Sequence, residues 1–187
     1  MNLKRPFDIV FATLGLLIFF PVMALVSIFI LVIDGRPILF TQTRLGYHRR
    51  PIRIYKFRSM NNDGITLIGR WIRATGLDEI PQFINILKGD MSLVGPRPLT
   101  QSDVTRLGWV NQHHTLRWNI KPGVTGLAQL YSGRGARASL FLDLHYVKNH
   151  SLMIDSGIVL ASFVVNISGK KRIRKILRRY RALKFRG

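Results

Sequence analysis

Apolar positions are concentrated at the two ends of the chain, and polar ones are interleaved with them between. From Ile9 to Ile33 no residue is charged, a run of about 25 positions and about 37 Å if helical. That length would cross a bilayer core of about 30 Å. No small-residue cleavage site follows, and the run exceeds a signal-peptide core, so it is expected to stay in the mature protein. Two details argue against a plain crossing. Positive charge flanks both ends, with Lys4 and Arg5 before and Arg36, Arg44, Arg49 and Arg50 after. A crossing helix cannot keep both flanks on the cytoplasmic side. Pro21, at the middle of the run, removes a backbone hydrogen bond and bends a helix. A helix that enters, breaks at Pro21 and returns to the same face satisfies both.

Near the other end, Ile158 to Ile167 is apolar but too short to span, with Asp155 just before it. Lys170 to Arg186 then holds ten of the 29 basic residues. Ile173, Ile176, Leu177, Tyr180 and Leu183 recur there at three- and four-residue spacing, which predicts an amphipathic basic helix suited to an anionic headgroup layer.

Between the ends, Ile38–Arg44 and Ile52–Phe57 are rich in β-formers and enclose Gly46 and a basic cluster, which predicts a hairpin. Ile65–Arg73 has helical spacing closed by Gly76. Gly89–Asp90 and Pro122–Gly123 read as turns. No linker, repeat or low-complexity tract divides the 187 residues. One membrane-associated domain is expected: residues 1–35 as the membrane helix, 36–155 as the catalytic region and 156–187 as an interfacial basic segment. Its class is α+β, mainly α.

Charge narrows the list of partners. Lysine and arginine exceed aspartate and glutamate by 29 to 9, a formal charge of +20. That favours nucleic acid, an anionic lipid surface or phosphorylated substrates. Yet 47% of residues are hydrophobic and the mean hydropathy is positive, which puts a membrane surface ahead of nucleic acid. With no cysteine, disulfides and thiolate metal sites are excluded.

Among nine acids only Asp78 and Glu79 are adjacent, and Glu79 is the sole glutamate. They precede Ile80, Phe83, Ile84 and Leu87, one face of a predicted helix with Pro81 in its first turn. A helix start favours anions. Asp78 can be read there as an ordinary N-cap. It can equally be read as a carboxylate able to attack phosphorus while its neighbour holds Mg²⁺. Candidate phosphate clamps are Lys56, Arg58, Arg97 in Gly95-Pro96-Arg97-Pro98, and Arg134 in Gly133-Arg134-Gly135. No GxxxxGK[ST] or GxGxxG loop occurs. Trp71, Trp109, Trp118 and Tyr146 are read as core or interfacial anchors.

These blocks, in this order, resemble one family. They are Lys4-Arg5-Pro6-Phe7-Asp8, Arg53 to Met60, Leu77-Asp78-Glu79-Ile80-Pro81-Gln82, Gly89 to Pro98, Lys121 to Gln129, and Asp143-Leu144-His145-Tyr146 followed by Ser151-Leu152 and Asp155. The chain resembles the small bacterial monotopic phosphoglycosyl transferases, the polyprenyl-phosphate hexose-1-phosphate transferases. The resemblance implies a re-entrant helix broken at Pro21 and interfacial helices at a cytoplasmic-face site on the bacterial inner membrane. It implies transfer of a sugar-1-phosphate from a UDP-sugar donor to a polyprenyl phosphate acceptor, with UMP released. Asp78 would be the nucleophile, Glu79 the Mg²⁺ ligand, Arg97 a phosphate ligand and Arg134 a ligand of the nucleotide or its phosphates. Gly76 stands where Ser or Thr is more usual, and His145 where an acidic or aromatic residue is. The tail beyond Gly169 extends past the resemblance, and the larger members' extra N-terminal helices are not matched, so a minimal catalytic unit is expected. Anionic lipids are expected partners and nucleic acid is not; a homo-oligomer is left open by the sequence. A basic nucleic-acid-binding or scaffold protein is the alternative reading.

Overall fold

The computed structural model describes residues 3–131 and 135–168. Arg134 and the predicted basic helix of 170–186 lie outside the described residues. The apolar N-terminal run folds as helix α1 (Lys4–Phe29), extended by one π-turn (Ile30–Asp34). At 1.5 Å per residue, α1 is about 39 Å long. It is long and apolar enough to cross a membrane, and only 11% of its most apolar window is buried. A core helix of a soluble protein would be mostly covered. Pro21 lies inside α1, and the helix is assigned without interruption on both sides of it.

Two short β units follow. Strands β1 (Leu39–Leu45) and β2 (Pro51–Phe57) form the antiparallel hairpin that the β-rich runs predict, with Leu39 opposite Phe57 and Leu45 opposite Pro51. A small ladder, β3 (Met60–Asn61) with β4 (Gly64–Ile65), leads into α2 (Leu67–Thr75). The Thr66 side chain caps α2 by accepting from the Gly69 N–H. Gly76 closes it at φ 77°, a left-handed conformation that an unbranched, Cβ-less residue adopts without strain. This accounts for glycine where the resemblance leads one to expect Ser or Thr.

Next come α3 (Gln82–Lys88), β5 (Ser92–Val94), α4 (Gln101–Leu107), α5 (Gln112–Thr115), β6 (Gly123–Thr125), α6 (Leu127–Leu130), α7 (Ala136–Asn149) and α8 (Leu152–Ser168). Pro122–Gly123 does not make the expected turn. Gly123 opens β6, which pairs in parallel with β5, Ser92 opposite Gly123 and Val94 opposite Thr125. Gly89 does turn the chain, ending α3 at φ 87°. The result is mixed and mainly helical, as the sequence predicts.

Both ends of α1 are fastened to the same body. At the N-terminal end, Asp8 is 2% exposed and accepts from the Ser92 hydroxyl and the Leu93 N–H. Arg5 donates to the carbonyls of Ile86 and Leu87. Lys4 donates to the Val94 carbonyl, the Tyr146 hydroxyl and Asp155, which is 1% exposed. Burial pushes the Tyr146 phenol far above its usual range, so it stays protonated and donates its one proton to Asp155, with the Val94 carbonyl also within reach. Midway, Gly15 leaves room for Phe83 of α3. At the far end, Val26 and Ile30 pack with Phe57 and Ile72. There Arg58 donates to the carbonyls of Asp34 and Gly35. The opposite side of α1 presents Leu14, Leu17, Ile18, Phe20, Leu25 and Ile28 to the exterior.

Trp109, Trp118 and Tyr146 are core residues, whereas Trp71 is 76% exposed beside exposed Leu67 on α2. Replacing Asp155 by Ala strips an acceptor from a buried hydroxyl and an ammonium together. It should cost about 3 kcal/mol, read as a lowered unfolding midpoint of the detergent-solubilised chain.

Candidate active site

The acids sit one step upstream of where the pattern predicts. Leu77–Glu79 form a 3₁₀ turn directly after Gly76. Ile80 continues with helical dihedrals, and Pro81 takes the N-cap position of α3 rather than its first turn. Neither the turn nor α3 has a side-chain cap. Asp78 is therefore not an N-cap; Gly76 and Pro81 take those positions.

Lys56 reaches this turn from β2, with its Nζ 2.5 Å from Glu79 Oε1. The register of β2 against α3 is set by Asn85, which is fully buried. Its Oδ1 accepts from the Tyr55 N–H and its Nδ2 donates to the Arg53 carbonyl. Arg97 comes from the loop after β5, its Nη2 4.0 Å from Glu79 Oε1. Its side chain is 52% exposed, so most of its donors remain open to a ligand. Arg44 of β1 completes the basic wall, held by Gln42 and by Asp103 at 3.0 Å. Burial lowers the proton affinity of Arg44, and the Arg97 charge adds to the effect while Asp103 opposes it. Two guanidiniums that repel each other across a cleft make a site for an anion.

That cleft is shallow, opens to solvent and is lined by Arg44, Ile54, Lys56, Glu79, Gln82, Arg97, Pro98, Gly123, Val124 and Gln129. It brings Lys56, Glu79 and Arg97 together. Asp78 adjoins it through the same 3₁₀ turn. Arg58 is not among the lining residues, because its guanidinium holds the carbonyls at the end of α1. Pro21 lies in α1. Arg44, Gln82 and Gln129 join the cleft without having been singled out in the sequence. Arg44 reads there as one more arginine after the apolar run, and only the hairpin register turns it inward.

The electrostatics of Asp78 differ from those of a helix-start carboxylate held ionised. Burial pushes its carboxyl above the ordinary range, and the adjacent Glu79 charge pushes in the same direction. Lys56 and Arg73 pull it back. A partly desolvated carboxylate is a stronger nucleophile once ionised, because fewer waters must leave it. The charges give signed expectations. Glu79→Gln should move the Asp78 titration to lower pH, and Arg73→Gln should move it to higher pH. Carboxyl ¹³C shifts of aspartate-labelled protein would follow both; an unmoved Asp78 in Glu79→Gln would contradict the coupling.

Comparison with known proteins bears on this geometry. The family model described as "Bacterial sugar transferase" matches residues 1–169. The chain is 38% identical over 178 residues to the UDP-glucose:undecaprenyl-phosphate glucose-1-phosphate transferase of Escherichia coli K12, covering 84% of this chain and 38% of that one. It is 36% identical over 186 residues to the UDP-N-acetylgalactosamine-undecaprenyl-phosphate N-acetylgalactosaminephosphotransferase of Aeromonas hydrophila, covering 89% and 44%. It is also 36% identical over 195 residues to an exopolysaccharide production protein of Rhizobium leguminosarum bv. phaseoli, covering 90% and 97%. The chain thus spans less than half the length of the first two and nearly all of the third. With the family model matched over most of its length, the chain belongs to the bacterial sugar transferase family.

Proposed function

We propose that the chain transfers a sugar-1-phosphate from a UDP-sugar to a polyprenyl phosphate such as undecaprenyl phosphate, at the membrane surface. The observation that carries this reading is the cleft in which Lys56, Arg97 and Arg44 surround Glu79 beside half-buried Asp78. Family membership supports it, as do the substrates in the names of the Escherichia coli and Aeromonas hydrophila relatives. The family match gives no support to a nucleic-acid-binding protein or a scaffold.

In the proposed first step an Asp78 carboxylate oxygen attacks the phosphorus that bears the sugar. The bond from that phosphorus to the bridging oxygen breaks, and UMP leaves with the electron pair. Asp78 then carries the sugar-phosphate as an acyl phosphate. In the second step an oxygen of the polyprenyl phosphate attacks the same phosphorus, and the Asp78 oxygen is released as carboxylate. Arg97, Lys56 and Arg44 meet the charge of the phosphoryl oxygens and of departing UMP. Arg134 is assigned to the nucleotide or its phosphates by the family pattern alone.

The donor set suits Mg²⁺, which binds through one or two carboxylates and shares substrate phosphates and water. The upward push of Glu79 on Asp78 marks a pair of acids that a nearby cation would relieve. Glu79 is the residue assigned to hold it, and the ion would supply charge neutralisation at the diphosphate. Glu79 is paired with Lys56 here, so metal binding requires Lys56 to turn toward the phosphates instead.

The membrane geometry follows from α1. Its two ends hold to one body while its middle is apolar and exposed. We assign the chain a monotopic placement on this ground. Re-entry, the bend at Pro21 and the cytoplasmic face of the inner membrane are assigned from the proline, the flanking charges and the family pattern, α1 itself running through Pro21 as continuous helix. Exposed Leu67 and Trp71 of α2, and Met153, Leu160 and Phe163 of α8, suit the interfacial layer.

Asp78→Asn should abolish UMP release while leaving the chain in the membrane fraction. Substantial turnover in that variant would remove Asp78 as nucleophile. Glu79→Gln should raise the Mg²⁺ concentration needed for half-maximal rate, and an unchanged metal titration would remove the role given to Glu79.

A further inference from the structure

The loop that carries Arg97 is tightly braced. From Met91 to Pro98 only Arg97 is exposed. Pro96 and Pro98 on either side fix their own φ. The Gly95 N–H donates to the Thr125 carbonyl, and the Pro96 carbonyl accepts from the Gly123 N–H. The Leu99 carbonyl accepts from the Leu45 N–H. A side chain on Gly95 or Gly123 would collide with the opposing backbone, so the two segments lie backbone against backbone.

The Arg97 carbonyl itself is held by a side chain from outside the cleft. Arg117 is 3% exposed. Its Nη2 donates to the Arg97 carbonyl at 2.9 Å, while Nε and Nη2 donate to Asp143 of α7 at 3.2 and 2.8 Å. The guanidinium lies 5.1 Å from the Trp109 ring centre and 5.0 Å from that of Trp118. A buried cation is tolerated only when paired and hydrogen-bonded, and Asp143 and the two indoles meet that demand. The planar guanidinium fork holds the carboxylate and the carbonyl in fixed directions between the indoles, whereas a lysine ammonium on a flexible stem is not pre-set to that geometry.

We propose that Arg117, held by Asp143 between Trp109 and Trp118, is a positioning residue that fixes the Arg97 loop and so aims the Arg97 side chain into the cleft. The reaching of Arg97 toward Glu79 at 4.0 Å then depends on α7 although no α7 residue lines the cleft. The catalytic part of the proposal rests on Arg97 as a phosphate ligand, and the positioning part does not.

The test uses the full chain in detergent or nanodiscs. Arg117→Lys keeps the charge and removes the fork. Amide hydrogen exchange should rise at Gly95, Gly123 and Leu45, whose bonds brace residues 95–99, and stay unchanged at Phe40 and Ile54 farther along the hairpin. The kcat/KM for a UDP-sugar should fall about ten- to hundredfold, the scale of an ångström-sized misplacement. In an Arg97→Ala background the same change should cause no further fall. Trp109→Phe, which loosens the stack without touching the fork, should show a weaker version of the same pattern if Arg117→Lys does not fold. Unchanged exchange at 95–99 in the folded variant overturns the positioning role. Equal losses with and without Arg97 overturn the claim that Arg117 acts through it. If Arg97→Ala alone keeps full kcat/KM, the phosphate role of Arg97 fails, and the exchange result still decides the positioning.

Discussion

Helix α1, about 39 Å long, is bolted at both ends to one small body. At one end Asp8 is satisfied by a strand amide and a buried hydroxyl, and Lys4 by Asp155, Tyr146 and the Val94 carbonyl. At the other, Val26 and Ile30 enter a cluster with Phe57 and Ile72. The polar contacts are buried, so removing one partner leaves the other without solvent. The rest of the architecture hangs from these attachments. They hold α3 along α1 with Phe83 against Gly15, and α3 in turn holds the 3₁₀ turn that bears Asp78 and Glu79. The constraint therefore sets where the cleft lies relative to the apolar surface.

Within the cleft the balance of charge has a clear direction. Cations from three separate elements converge on one glutamate: Arg44 from β1, Lys56 from β2 and Arg97 from the loop after β5. Asp103 pairs with Arg44 and Glu79 with Lys56, while Arg97 keeps most of its donors open, and that opening suits a diphosphate. Asp78 stands at the edge of this field, partly desolvated and pushed toward its neutral form by burial and Glu79. An incoming diphosphate would push further in that direction unless a metal ion accompanied it. A requirement for a divalent cation is thus consistent with the electrostatics of the acid pair.

Much of this was legible in the sequence, for identifiable reasons. The apolar run has no charge for its whole length, the β-rich runs flank a glycine, and Gly76 follows a helical period; each is a local signal, and each element formed nearly where predicted. The adjacency of Asp78 and Glu79 is likewise local. Legibility failed where long-range packing decides. Arg58 reads as a phosphate clamp near Lys56, yet it lies just past the end of β2, and there its guanidinium holds carbonyls near the end of α1. Pro122–Gly123 reads as a turn, but the parallel partner β5 draws Gly123 into a strand. Arg44 and Arg117 look like two of many arginines, and only the hairpin register and the two indoles give them distinct tasks. The helix-start picture of Asp78 missed desolvation, which depends on neighbours distant in sequence.

The proposed chemistry requires that Asp78 itself take the sugar-phosphate. The most direct measurement is to incubate the chain with Mg²⁺ and a UDP-sugar that it turns over, without acceptor, then quench in acid and map the modified peptide by mass spectrometry. A sugar-phosphate mass increment is expected on the peptide containing Leu77-Asp78-Glu79, localised to Asp78 and lost on adding polyprenyl phosphate. An adduct on another residue, or UMP release that waits for acceptor with no adduct formed, would contradict it.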